Sequence, residues 1–367
     1  MTVGDALLLR SGFDGHRPPL QRFLPQFVEA PTKAYARAGV DIDLGNRLKR
    51  GLGRQLASTH GPEVLGKAGG FGGLFRADFK GLREPVLVSS IDGVGTKLKL
   101  AVALDRHDTI GQDLVNHCVN DIAVVGARPL FFLDYVGTGK LEPHVFGQIL
   151  AGLTRACRAA RCALVGGETA QMPGIYQHGD YDLAGCIVGV VDRRQIVDGS
   201  RVRPGDMILG MPGEGLHTNG YSLAREILFN TMGLEPAARL PGLRRTLGEE
   251  LLRVHPNYQP KLAALPPGML KGAAHITGGG LVDNLPRVLP PGCDAVIETS
   301  RWKIPPIFGL LERGGQVPRE EMFQVFNMGI GMAVIVSAKD AAAALRSLPR
   351  SRLIGRIEPG AGRTQIK

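Results

Sequence analysis

Apolar residues along this chain follow two spacings, and each predicts a different element. Unbroken or alternating runs at residues 85–88, 130–136, 162–165, 182–191, 207–210 and 333–336 read as strands. Residues 113–125 instead place Leu114, Val115, Cys118, Val119, Ile122 and Ala123 at i, i+1, i+4, i+5, which is one buried helical stripe. Asn116, His117, Asn120 and Asp121 fall on the other side of that helix. Gly126 suits its C′ position, and Pro129 prevents its resumption. Residues 146–160 and 223–229 repeat the helical spacing, and 47–56 carry a shorter version. Strands interspersed with helices in both halves predict a mixed α/β or α+β protein of two domains. The expected divisions are an irregular arm over 1–30, with Pro18, Pro19 and Pro25 and little periodicity, a first domain over 31–203 and a second over 204–367.

Composition agrees with such a chain. At 367 residues, with 44% hydrophobic and 21% charged, it has material for two ordinary cores. No segment approaches the roughly 18 uninterrupted apolar residues of a membrane span, and the N-terminus lacks a basic region and a long apolar run. Five cysteines without a C-x-x-C pair argue against a disulfide framework or structural zinc, and a reducing cytoplasm is the simplest setting. The net charge of +10 raises nucleic acid as a partner, but Lys and Arg are scattered and aromatics make up only 5%. A basic enzyme with anionic small-molecule ligands fits better, with no nucleic acid or membrane partner.

The 51 glycines concentrate attention on a few loops. Asp92-Gly93-Val94-Gly95-Thr96-Lys97 follows the first strand and joins an acid, two glycines, a hydroxyl and a lysine. Glycines admit backbone amides to a ligand, lysine suits phosphate and aspartate suits a hard cation, although a plain turn has the same composition. Gly69-Gly70-Phe71-Gly72-Gly73 reads as a mobile loop or a flap closing on a ligand. Gly167, Glu168 and Thr169 lie just beyond a predicted strand end, a common place for ligand contact. His217 and Asn219 precede a helix, and His275-Ile276-Thr277-Gly278-Gly279-Gly280 forms a second histidine loop; both suit anions or acid–base work.

Several chemistries are excluded. Residues 61–68 match most of a Walker A loop, but Ala68 stands where a hydroxyl must hold magnesium. Ala224 spoils a G-x-S-x-G elbow at 220–224. No G-x-G-x-x-G or H-E-x-x-H is present.

In order, the loops resemble the phosphoribosylformylglycinamidine cyclo-ligase (aminoimidazole ribonucleotide synthetase) family. The matching pieces are A-G-V-D-I-D-x-G-N at 38–46, G-G-F-G-G at 69–73, D-G-V-G-T-K at 92–97 and V-N-D at 119–121. G-G-E-T-A-x-M-P at 166–173, H-T-N-G-Y-S at 217–222, H-I-T-G-G-G at 275–280 and F-N-M-G-I-G-M at 326–332 complete the set. The resemblance implies ATP-dependent closure of formylglycinamidine ribonucleotide to 5-aminoimidazole ribonucleotide, with Mg2+. It implies a two-domain ATP-binding superfamily fold whose N-terminal sheet forms a β-barrel across a homodimer, beside a C-terminal α/β domain. It also implies that Asp92 and Asp121 are the magnesium candidates. Gly69, Gly70, Phe71, Gly72, Gly93, Gly95, Thr96, Lys97, Asn120, Asp121, Gly167, Glu168 and Thr169 would attend ATP. His217, His275 and Asp92 would serve catalysis, and Asn219, Gly220, Thr277, Gly278 and Gly279 the ribonucleotide. Relatives within the wider superfamily fit less well; thiamine-monophosphate kinase is the hardest to exclude, and what sets it apart is that it lacks the H-T-N-G-Y-S and H-I-T-G-G-G pair in this form. The selenium enzyme needs a reactive residue near its N-terminus, where this chain's first cysteine is Cys118, and the hydrogenase-maturation enzyme carries a C-terminal cysteine absent here.

Overall fold

The computed structural model describes residues 33–66 and 70–367. The expected 1–30 arm and Gly69 of the glycine loop lie outside the described residues. The first half is built on a four-stranded sheet of β1 (Pro85–Gly93), β2 (Arg128–Thr138), β3 (Ala163–Gln171) and β4 (Tyr181–Asp192), in the order β1-β4-β2-β3. β4 pairs antiparallel with both neighbours, and β3 runs parallel to β2. The parallel pair needs a crossover, which the helix Pro143–Ala159 supplies.

One face of this sheet is covered by the helices Ile110–Ala123 and Pro143–Ala159, with Leu114, Cys118, Ile122, Ile149, Phe132 and Ile187 fully buried. Glycine sets how closely those helices approach: a Cβ on Gly111 would sit 2.3 Å from the Ile149 carbonyl oxygen. The other face is apolar but open. Leu87 and Ile91 of β1 are 61% and 73% exposed, beside Cys186 and Val188 of β4 and Leu133 of β2.

The second sheet contains β5 (Met207–Pro212), β6 (Gly272–His275), β7 (Cys293–Ile297), β8 (Ile330–Val336), β9 (Arg352–Pro359) and β10 (Thr364–Ile366), in the order β10-β7-β9-β5-β8-β6. Every residue of β6, β7 and β8 is buried, as expected of strands covered on both sides. Along β8, Met332, Val334 and Val336 pack with Tyr258, Leu262 and Leu348, while Ile330, Ala333 and Ile335 join the larger core shared with the first half.

One strand departs from expectation. Gly167, Glu168 and Thr169 lie inside β3, paired with Asp134, Tyr135 and Val136, instead of forming a loop beyond it. Gly167 is extended and small because Asp134 leans over it: a Cβ there would be 2.3 Å from Asp134 Oδ1. Burial pushes the Asp134 carboxyl up to about 7. The folded protein therefore binds this proton more tightly than the unfolded chain, so its contribution to stability falls as pH rises from about 4 to about 7. Asp134→Asn is expected to remove that component. Urea midpoints of both proteins at about pH 5 and about pH 7.5 check it, and an unchanged difference between them would contradict it.

Candidate active site

Asp92 stands at the end of β1, and Ser90, two residues earlier, points to the same side of the sheet. Beneath them runs the helix Ile110–Ala123, which presents His117 and Asp121 one turn apart. His117 Nε2 is 2.8 Å from Asp92 Oδ2, and Ser90 Oγ donates to Asp121 Oδ2 at 3.0 Å. The other Asp92 oxygen accepts from the Gly93 N–H at 2.6 Å. From the second half, His275 at the end of β6 places Nδ1 2.8 Å from Asp121 Oδ1. Its Nε2 is 2.9 Å from His255 Nε2. Thr218 Oγ1 lies 2.8 Å from His117 Nδ1, and His255 stacks on His217 at 4.1 Å between ring centres.

The result is a floor of four buried imidazoles under two carboxylates that keep access to solvent. The Asp92 and Asp121 side chains are 44% and 26% exposed. Burial would raise both carboxyls, but hydrogen bonds and charge from His117 and His275 outweigh it and hold them below the ordinary range. Burial opposes charge on His117 as well, yet Asp92 and Asp121 pull its pKa upward. For His275 burial prevails over Asp121 and the pKa falls; burial and the surrounding histidines push His217 and His255 well down. Two ionised carboxylates with exposed oxygens suit a hard divalent cation and its bound triphosphate.

The polar side of the same helix locks the two halves together. Asp113 accepts the His255 N–H at 2.8 Å, and Asn116 Nδ2 donates to the His255 carbonyl at 2.7 Å. Asn120 donates to the Pro256 carbonyl and accepts from the Tyr258 N–H, each at 2.8 Å. Lys97 Nζ lies 2.7 Å from Asp113 Oδ2, with both side chains fully buried. It also donates to the His217 carbonyl at 3.1 Å and the Arg253 carbonyl at 2.7 Å.

Two models of the AIR synthase related protein family match: its N-terminal domain over residues 81–191 and its C-terminal domain over 203–366. A phosphoribosylformylglycinamidine cyclo-ligase from Anaeromyxobacter sp. (strain Fw109-5) is 53% identical over 89% of this chain and 96% of its own length. One from Trichlorobacter lovleyi is 51% identical over 85% and 90%. The chain belongs to the phosphoribosylformylglycinamidine cyclo-ligase family. Solved structures with the same fold include a thiamine-monophosphate kinase from Stenotrophomonas maltophilia K279a, at TM-score 0.64 and 19% identity, covering 86% of this chain and 94% of that one. Hydrogenase maturation protein HypE in complex with ATP matches at TM-score 0.60 and 20% identity, covering 88% and 90%.

Against the family expectations, the residues sort into three groups. Asp92, Gly93, Gly95, Thr96 and Asp121 do converge with the second-half loops. Thr96 Oγ1 is 2.9 Å from Ser222 Oγ, and a Cβ on Gly278 would lie 3.4 Å from Asn219 Oδ1. Gly220 and Gly279, with φ of +76° and +94°, start the short helices that follow each loop, and Thr277 bonds weakly to Asn284 at 3.5 Å.

A second group is turned inward, and three expectations are corrected. Lys97 spends its charge on Asp113 and cannot reach a triphosphate. Asn120 has both ends of its amide committed to the 256–258 segment and offers nothing to ATP. His217, held at φ +64°, accepts the Glu214 N–H on Nε2 at 3.1 Å and is 1% exposed, so it is turned into the interior instead of standing open to solvent. His275, also buried, acts on Asp121 rather than standing free.

The third group lies across the sheet. β1 and β3 are opposite edges, and the register Asp92–Gly185–Asp134–Gly167 turns Glu168 to the face opposite Asp92. Glu168 is exposed and accepts its neighbour Thr169's N–H. Phe71 is fully exposed beside Gly70 and Gly72, and a Cβ on Gly73 would touch Val165 of β3. Within one chain the glycine loop and Glu168 therefore do not share a wall with Asp92. His255 is the participant the motifs did not reveal, because V-H-P-N at 254–257 belongs to no loop pattern. His117 was visible at i, i−4 from Asp121, without a role.

Proposed function

We propose that this chain closes formylglycinamidine ribonucleotide to 5-aminoimidazole ribonucleotide, consuming ATP and releasing ADP and phosphate. The carrying observation is the 53% identity to a cyclo-ligase over nearly the whole of both chains. The formamide oxygen attacks the γ-phosphorus and ADP departs, leaving a phosphorylated imidate. The amidine nitrogen then attacks the activated carbon, phosphate leaves with the former formyl oxygen, and a proton is lost as the ring becomes aromatic. The protein's work is positioning and charge stabilisation. Asp92 and Asp121 would hold Mg2+ through their outward oxygens, and it would supply charge neutralisation on the triphosphate. His117 and His275 keep those carboxylates ionised. The Gly93–Thr96 backbone lies next to the phosphates, and Asn219 with Gly278 faces the ribonucleotide. Substrate made with 18O in the formyl group is expected to give phosphate carrying that label; unlabelled phosphate would refute amide-oxygen activation.

The functional unit is a homodimer in this reading. The open apolar face with Leu87 and Ile91 is the surface a second copy would cover, and pairing two such faces would make the barrel. It would also carry one chain's Glu168 and glycine loop toward the other chain's Asp92. Leu87→Arg is expected to convert a dimer into a monomer by light scattering; an unchanged mass would remove this face as the interface. Five free cysteines, four of them buried, favour a reducing cytoplasm. Among the described residues no helix is long and apolar enough to cross a membrane.

A further inference from the structure

The imidazoles beneath Asp92 and Asp121 are more than the magnesium reading requires. His117 Nε2, His275 Nδ1 and an Asp121 carboxylate oxygen all lie within 4.8 Å of one another. Asp92 Oδ2, 2.8 Å from His117 Nε2, adds a fourth donor. Three of these four donor groups are held from behind. His117 Nδ1 meets Thr218 Oγ1 at 2.8 Å, His275 Nε2 meets His255 at 2.9 Å, and Ser90 bonds Asp121 at 3.0 Å. Outer partners on the far nitrogen are how proteins orient metal-binding histidines.

Hydrogen-bond accounting points the same way. The Tyr258 N–H donates to Asn120 Oδ1, which fixes that amide and aims its NH2 at the Pro256 carbonyl and, at 3.3 Å, at His255 Nε2. One proton lies between His255 Nε2 and His275 Nε2, 2.9 Å apart, so the two rings orient each other. His275 Nδ1 faces an Asp121 oxygen at 2.8 Å, and a metal ion that displaced the proton between them would take both atoms as ligands.

We propose that His117, His275, Asp121 and Asp92 form a binding site for a borderline divalent transition metal of the Zn2+ class. Magnesium favours all-oxygen surroundings and keeps its waters, whereas two imidazoles with carboxylates favour Zn2+ at about 2.0–2.2 Å. Because Asp92 and Asp121 are shared, Zn2+ bound here excludes Mg2+ from them. The site stands on donor geometry and does not rest on the ring-closure reading, since its readout is metal bound and not turnover.

The test uses the full chain, stripped with a chelator, and Zn2+ alone as probe, with a chromophoric indicator as competitor. One Zn2+ per chain is expected. His117→Gln and His275→Asn should each weaken it by roughly 100-fold or more, beyond the usual cost of losing an outer partner. His178→Gln, on an exposed side chain, should bind as the parent does. X-ray absorption of the zinc-loaded parent should show two imidazoles, a measurement independent of how the variants fold. Absence of stoichiometric zinc, an oxygen-only shell, or parental affinity in both folded variants would overturn the site.

Discussion

Lys97→Met is expected to lower the unfolding free energy by about 3–5 kcal/mol, the cost of leaving one half of a buried ion pair without its partner. Lys97 and Asp113 are both fully buried and 2.7 Å apart, and burial pushes each toward its neutral form. Their mutual attraction and the carbonyls of His217 and Arg253 keep the ammonium in place. Without it, the fully buried Asp113 carboxylate keeps the His255 N–H at 2.8 Å but loses the ammonium that balances its charge. Adding Asp113→Leu to Lys97→Met should recover much of the loss, because a neutral, packed pair replaces a stranded charge. Urea denaturation of the two variants reads the effect. A loss below about 1 kcal/mol for Lys97→Met, joined to a raised KM for ATP, would restore the phosphate-binding reading.

Asp92→Asn is expected to reduce turnover by more than about tenfold while leaving the fold intact. The substitution preserves shape, and the amide oxygen still accepts the Gly93 N–H. The amide NH2 can face His117 Nε2, which becomes the acceptor once the ring shifts its proton. What disappears is one negative charge of the proposed metal site, which leaves Asp121 as its remaining carboxylate. Near-parental turnover at saturating magnesium, with an unchanged melting temperature, would remove Asp92 from the metal role.

The contrast between these residues shows what a linear pattern carries. Both belong to the same six-residue loop, and the chemistry of each side chain was legible there. Direction was not. After Gly95, at φ +69°, the chain enters the helix Lys97–Ala103, which swings Lys97 beneath the second half while Asp92 stays at the strand end. The helix at 113–125 was legible by its apolar stripe. Its polar side looked ligand-facing because the segment it clamps, His255 to Tyr258, lies more than 130 residues away. Glycines misled at β3, where Gly167 serves the close approach of Asp134 within a strand rather than a turn. The mixed α/β architecture was legible, since periodicity is local. The four-histidine floor was not, because it assembles from a helix, two loops and a strand end.

Phosphate transfer in the proposed reaction is coupled to ring closure. Purified protein with ATP and Mg2+ should release ADP and phosphate only when formylglycinamidine ribonucleotide is present, in equal amounts with aminoimidazole ribonucleotide. Equal ADP release with and without that substrate, and no aminoimidazole product, would contradict it.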